Sequence, residues 1–441
     1  MVRSGLGCGL LKIIAQTKYR KMKSTTNFGK ENRTYISLLC DAWMKHRTKL
    51  LFSAIALMSI AAIARLDTEF YRLIWMKTSL GAIDLRFRHG EVNTWFAGNP
   101  TYGVLVHSMY PPASYAMLWP FLGWLSFKLA RVLWALTSVL MLGWIAYLTI
   151  RESLANTTLE RFFLLLLPLS AYPTGAAIGN GQLVLLVIPM VVTGLILMCR
   201  NSKLTGDSLA AALVLMALVS PAIAVPFFWI ALFVPGRLRP AILVVLGYVV
   251  LTLFASSFQD SSSVSLIRDW FATAQMGAWS GARQGGYSNL HSWLALFGVT
   301  AGNRYFSLIA LLALGAWIYR YRKADLWLLI GVSAIVARIW TYHRRYDDLL
   351  ILLPMIALFR MAKSEASEDR SRVLAAILFA TAWCIMVAPI YFIFSSPPWS
   401  WLMRGAQVIT WGLILVFLLY RVQREKTVSS EEGSRLNPAN I

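Results

Sequence analysis

Apolar runs follow one another along the chain. They fall near residues 50–65, 113–127, 131–150, 161–177, 181–199, 207–219, 220–234, 239–257, 304–319, 326–340, 348–362, 372–394 and 404–421. A helix needs about 20 apolar residues to cross the hydrocarbon core of a bilayer, so there is enough apolar sequence for many crossings. Several runs are shorter than ~18 residues and read as tilted, fused or re-entrant. In lipid the backbone must satisfy its own hydrogen bonds, which leaves helices or a closed barrel. A barrel requires alternating segments of about 10 residues, whereas residues 162–167 are continuously apolar. The expected fold is all-α: a polytopic membrane protein with about 11–13 transmembrane or re-entrant helices. Composition agrees. Hydrophobic residues make up 58% and charged residues 14%, against roughly 45–50% and 25% in soluble domains. That excludes a soluble enzyme, a disordered chain, and a soluble head on a single anchor.

The formal net charge is +22, but its distribution argues for a membrane rather than a nucleic acid. Residues 1–49 carry 11 lysines and arginines against Glu31 and Asp41, a charge of 11 − 2 = +9. Residues 67–112 balance to zero, with Arg72, Lys77, Arg86 and Arg88 against Asp67, Glu69, Asp84 and Glu91. The positive-inside bias then places a basic N-terminal tail, 1–49, in the cytoplasm, where anionic membrane lipids attract it. The multi-pass region is expected at 50–421, in the plasma or inner membrane, with external loops at 66–112 and 258–303. The run at 50–64 would act as an uncleaved signal anchor. Residues 422–441 read as a polar, disordered tail. One parity problem remains. If 113–127 and 131–150 both cross, the basic loop from 151 to 161 falls outside, so either one of them is re-entrant or that loop breaks the bias. Cys8, Cys40, Cys199 and Cys384 show no disulfide framework and no metal-ligand spacing.

Soluble-enzyme signatures are missing. Gly179, Asn180, Gly181 and Gln182 lack the third glycine of a dinucleotide fingerprint. The densest polar segment near the membrane is 338–348, with Arg338, His343, Arg344, Arg345, Asp347 and Asp348. Charges at that depth cost about 2.5–3.5 kcal/mol or more each unless paired. If the segment is helical, His343 and Asp347 are neighbours. An ordinary charged cytoplasmic turn is the alternative. Asp84 alone reads as a solvated loop carboxylate or a salt-bridge partner of Arg88. The Gln182 amide reads either as a sugar ligand or as a cap of its own helix.

The order of several motifs resembles glycosyltransferase family 87. Asp84, Leu85, Arg86 and Phe87, then Gly98 to Tyr102, then Tyr110, Pro111 and Pro112 are similar to its first external loop. Gly181 and Gln182 before an apolar helix match its glycine–glutamine signature. Residues 287–292 loosely match its second loop, and 338–348 its late polar motif. Ser220 and Pro221 stand where that family often has lysine and proline. The resemblance implies a GT-C-type membrane transferase, with a polyprenyl-phosphate sugar as donor and a lipid-linked or cell-envelope glycan as acceptor. It implies no nucleotide site, no cofactor and no metal. Asp84 would be the general base. His343, Arg344, Arg345 and Arg338 would hold the donor phosphate, since the planar arginine fork suits phosphate oxygens. Gln182, Tyr102, Asn289 and His291 would contact substrate, with Tyr102 and Tyr110 shaping the loop rather than reacting. A single base points to direct displacement with inversion. The rival reading is a transporter or flippase of an anionic lipid, against which the chain shows no repeated halves.

Overall fold

The computed structural model describes residues 28–77, 80–105, 108–200, 203–283, 298, 303–341, 343–364, 369–387 and 398–435. Its α-helices are α1 (Phe28–Ile74), α2 (Ile83–Phe96), α3 (Pro112–Leu122), α4 (Phe127–Glu152), α5 (Thr158–Ser170), α6 (Tyr172–Asn180), α7 (Val184–Arg200), α8 (Leu204–Ala217), α9 (Pro221–Phe233), α10 (Leu238–Ser256), α11 (Ser263–Arg283), α12 (Asn303–Arg320), α13 (Leu326–Ile339), α14 (Leu352–Lys363), α15 (Asp369–Met386) and α16 (Trp399–Arg435). A 3-10 turn, Arg345–Ile351, precedes α14. Among the described residues the only extended pairing is an isolated bridge between Ala171 and Val387. Two compact units are present, Met1–Ala54 and Ile55–Ile441. In the first, the described residues 28–54 belong to α1.

The protein is a multi-pass α-helical membrane protein. Thr48–Ile74, Phe127–Glu152, Leu238–Ser256 and Trp399–Glu425 are each long and apolar enough to cross a bilayer. The pair Tyr172–Asn180 and Val184–Arg200, bent by 114° at its break, passes the same test when taken together and brings the number to as many as five. Other apolar runs form shorter helices, such as Leu204–Ala217, Pro221–Phe233 and Leu326–Ile339. The polar stretch after 421, expected to be disordered, instead continues α16 to Arg435. It contains arginine, glutamate, lysine and glutamine, all good helix formers.

Contacts at helix ends define two ends of the second unit. At one end, Glu152 binds Arg200 through both oxygens (2.9 and 3.0 Å) and accepts from the Trp327 indole. Arg360 donates to the Glu152 carbonyl, and Lys363 to Glu160, whose own carboxylate completes a capping box with Thr157. At the other end, Arg131 donates to the carbonyls of Leu73 and Met76, closing the C-terminal turn of α1. His89 bonds the Leu125 carbonyl, and the Trp95 indole donates to Ala255.

This arrangement resolves the parity problem. Both ends of α3 stay beside α2: Arg88 lies over the Tyr110 ring just before it, and Arg86 over the Phe127 ring just after it. With 11 residues, α3 is about 16 Å long, too short to cross. Helix α4, about 39 Å long, then runs from the α2 end to Glu152. The basic loop 151–161 therefore lies at the end opposite α2. Two cysteines introduced singly into a background without the native four, Asn99→Cys and Lys323→Cys, should react with an impermeant thiol reagent from opposite sides of the membrane. Labelling of both from the same side would contradict the two-ended arrangement.

Candidate active site

The site is built around a sharp turn between α6 and α7. Gly181 adopts a left-handed conformation (φ 72°) at the C-terminus of α6. Its N–H donates to Ile178 and that of Gln182 to Ala177, a Schellman closure that satisfies the helix-end carbonyls. A Cβ at Gly181 would lie 2.6 Å from Leu85 Cβ. Only glycine permits both the backbone angle and this close approach to α2. On the other side of the turn, Asn180 accepts from Arg72, which also binds Glu69 at 2.9 Å. A Cβ at Gly179 would collide with the Glu69 carboxylate. Helix α6 is itself set off from α5 at Ala171, followed by Pro173. The carbonyl of Pro168, freed there, accepts from the Thr174 hydroxyl.

Ala82 also adopts a left-handed conformation (φ 51°), and its N–H donates to the Gly179 carbonyl at 3.1 Å. This links the turn to the first residues of α2, where Asp84 is the second residue. The half-buried Asp84 carboxyl takes a hydrogen bond from Gln182 and lies in the fields of Arg344 and Arg88. Its other oxygen, Oδ2, is buried and has no hydrogen-bond partner among the described residues. Burial lifts the Asp84 carboxyl above its ordinary range, with Asp347 adding to the rise. The Gln182 bond, Arg344 and Arg88 act in the opposite sense but do not cancel it. Arg88 pairs with Glu91 (2.6 Å). The Glu91 carboxyl is pushed up to about 7, chiefly by burial.

The polar segment 338–348 faces this carboxylate only in part. Arg344 is exposed, and its charge acts on Asp84. Its backbone N–H donates to Asp347 Oδ2 (3.0 Å), which also receives His343 Nδ1 at 3.1 Å. His343 Nε2 meets the Thr341 hydroxyl at 3.1 Å, so both ring nitrogens are engaged. Arg338 is fully buried and binds Asp348 at 2.5 Å. Asp348 also accepts from the Tyr172 hydroxyl, which in turn accepts from Gln407 (2.8 Å). Arg345 lies in the field of Arg404. Tyr346 and Tyr110 both border Asp84 and Asp347. Tyr102 donates to the Tyr110 carbonyl (2.7 Å) and meets the Trp95 ring edge-on. Asn289 and His291 lie outside the described residues. Ser220 is buried close to Trp340, whose indole donates to the Ala222 carbonyl.

Asp84, Gln182 and Arg344 gather at one end of a membrane helical bundle. Residues 109–364 match the family model described as glycosyltransferase family 87. That is more than half of the chain, and the protein belongs to that family. It is a multi-pass membrane glycosyltransferase. Gln182 and the segment 338–348 lie within the matched stretch, while Asp84 precedes it. No curated protein and no solved structure matches the chain.

Gly181→Ala tests the turn. The left-handed angle alone should cost about 1–2 kcal/mol, and the clash with Leu85 should displace Gln182 from Asp84. Activity per folded molecule should fall, and the thermal midpoint with it. Gly90→Ala, on an exposed face of α2 with open space around it, should lower neither, since alanine favours the helix over glycine. Equal behaviour of the two variants would rule out the turn as the scaffold of the site.

Proposed function

We propose that this glycosyltransferase moves a monosaccharide from a polyprenyl-phosphate donor to a lipid-linked or cell-envelope glycan at the external face, with Asp84 as general base. The observation that carries the reading is the buried Oδ2 of Asp84, without a hydrogen-bond partner among the described residues, on a carboxylate that is bonded by Gln182 and lies in the fields of Arg344, Arg88 and Asp347. Such an oxygen is placed to accept a proton from an incoming hydroxyl. The acceptor oxygen bonds to the anomeric carbon as the bond from that carbon to the phosphate oxygen breaks. The proton passes to Asp84, and the electron pair leaves with the polyprenyl phosphate. Arg344 stabilises the departing charge, which is the electrostatic part of catalysis. His343 and the buried Arg338 act through Asp347 and Asp348, holding the segment that presents Arg344. Gln182 orients the base, and its remaining polar atoms are placed to meet a sugar hydroxyl. One base and direct displacement predict inversion at the anomeric carbon.

The external location rests on charge. Arg151, Arg161, Arg200, Lys203, Arg237, Arg320, Arg322, Lys323, Arg360 and Lys363 gather at the Glu152 end, against Glu152, Glu160, Asp207 and Asp325. Such an excess marks the cytoplasmic side. The transporter reading has no comparable support, since the family is one of transferases.

Asp84→Asn preserves size but cannot take the proton. Turnover should fall by ~10²–10⁴-fold, with donor binding little changed. Asp260→Asn, an exposed acid beyond α10, should retain most activity. Wild-type activity should also decline as pH falls through the Asp84 pKa, because the base must be ionised. Since burial raises that pKa, the decline should begin above the ordinary carboxylate range. Near wild-type turnover in purified Asp84→Asn would remove Asp84 as the base.

A further inference from the structure

We propose that Glu91 is a positioning residue for the base: it holds the Arg88 guanidinium and counters its charge beside the Asp84 carboxylate. The inference rests on the reading of Asp84 given above. Along α2, Asp84, Arg88, Glu91 and Trp95 follow one another at spacings of four, three and four, all buried or half-buried. Those spacings put them on one stripe of the helix. Arg88 stands between the two carboxyls. It is displaced from Asp84 by about 6 Å along the axis, and Glu91 by about 10 Å. Arg88 Nη1 meets Glu91 Oε2 at 2.6 Å. Arg88 Cζ lies 4.3 Å from the centre of the Tyr110 ring, and the Tyr110 carbonyl is itself fixed by the Tyr102 hydroxyl at 2.7 Å. Glu91 is 2% exposed and Arg88 8%.

A buried ion pair repays its desolvation poorly, and a well-packed apolar pair would stabilise such a helix at least as well. The charge of Glu91 is explained instead by its effect on Arg88, a cation that acts on both carboxyls. The other groups that face Asp84 are Gln182 from the turn, Arg344, Tyr346 and Asp347 from the polar segment, and Tyr110. Glu91 is faced by Tyr115 from α3 and by Tyr102 and Tyr110 from the loop. On α4, Arg131 is engaged with carbonyls of α1, and Arg86 lies over the Phe127 ring. A cation beside a carboxylate lowers its proton affinity and so weakens it as a base. Burial lifts both carboxyls, that of Glu91 up to about 7. Above that pH the ionised Glu91 offsets Arg88. Below it Glu91 takes a proton, and Arg88 acts on Asp84 unopposed.

The test is an infrared pH titration of the full chain in nanodiscs. Subtracting the spectrum of Asp84→Asn isolates the carbonyl band of protonated Asp84, whose midpoint is then read directly. Glu91→Gln keeps the shape of the side chain and removes its charge, so the Asp84 midpoint should fall by about one pH unit. The double variant Arg88→Met with Glu91→Met replaces the ion pair by apolar side chains, an exchange that buried pairs often tolerate. Arg88 is nearer to Asp84 than Glu91 is, so its loss should dominate and the midpoint should rise above that of the wild type. The acid limb of turnover should move in the same direction in each variant. Where Glu91→Gln folds too poorly to titrate, the double variant decides alone. A midpoint at the wild-type value, or displaced the opposite way, would overturn the inference, and with Asp84→Asn inactive it would leave Asp84 as the base. Full turnover in Asp84→Asn would remove the base and the role of Glu91 with it.

Discussion

The broken span at residues 179–182 is the constraint on which the site depends. A continuous helix from 172 to 200 would bury its backbone and carry Gln182 away from α2. The break, with its 114° bend, brings backbone and amide groups to Asp84. Such a break is tolerated only where the freed polar groups find partners. Here the Schellman closure at Gly181, the Ala82–Gly179 bond and the Arg72–Asn180 bond supply them. The charged triad Arg65, Glu69 and Arg72 at the end of the first span is thereby explained. Arg65 reaches the Tyr172 carbonyl and Glu69, while Arg72 holds both Glu69 and the turn.

A second layer of pairing lies beneath the chemistry. Isolated charges inside a membrane bundle are expensive, and here Arg338, Asp348, Tyr172 and Gln407 satisfy one another. His343 and Asp347 do the same one turn earlier. Beside these pairs, the charge of Arg344 acts on Asp84. Preorganised charge of this kind costs no reorganisation when the transition state forms. Glu91, buried and paired with Arg88, belongs to the same layer.

Much of the fold was legible in the sequence, since continuous apolar runs in lipid leave little choice but helices. Run length did not reveal which runs cross. The stretch after Pro112 is as apolar as a span, and only its contacts with α2 show that it turns back. Residues 66–112 read as a loop, although Asp84, Arg88 and Glu91 recur at the spacing of one helical face. Spacing alone could not say whether Arg88 pairs with Asp84 or Glu91, because both separations fit a helix. The His343–Asp347 neighbourhood was expected for a helix, and it forms with Asp347 in the first turn of a 3-10 turn. Gly181 and Gln182 stood out as a motif, but the physical reason, a left-handed closure against Leu85, needs the tertiary contact.

The central claim is that Asp84, Gln182 and Arg344 enclose one reaction centre for a lipid-phosphate sugar. The most direct measurement is an experimental structure of the wild-type protein in a nanodisc with a non-hydrolysable polyprenyl-phosphonate sugar. The account predicts the phosphonate within hydrogen-bond reach of Arg344 and the anomeric carbon facing Asp84 across a gap that admits one hydroxyl. A ligand seated at the Glu152 end, or one whose sugar points away from Asp84, would contradict it.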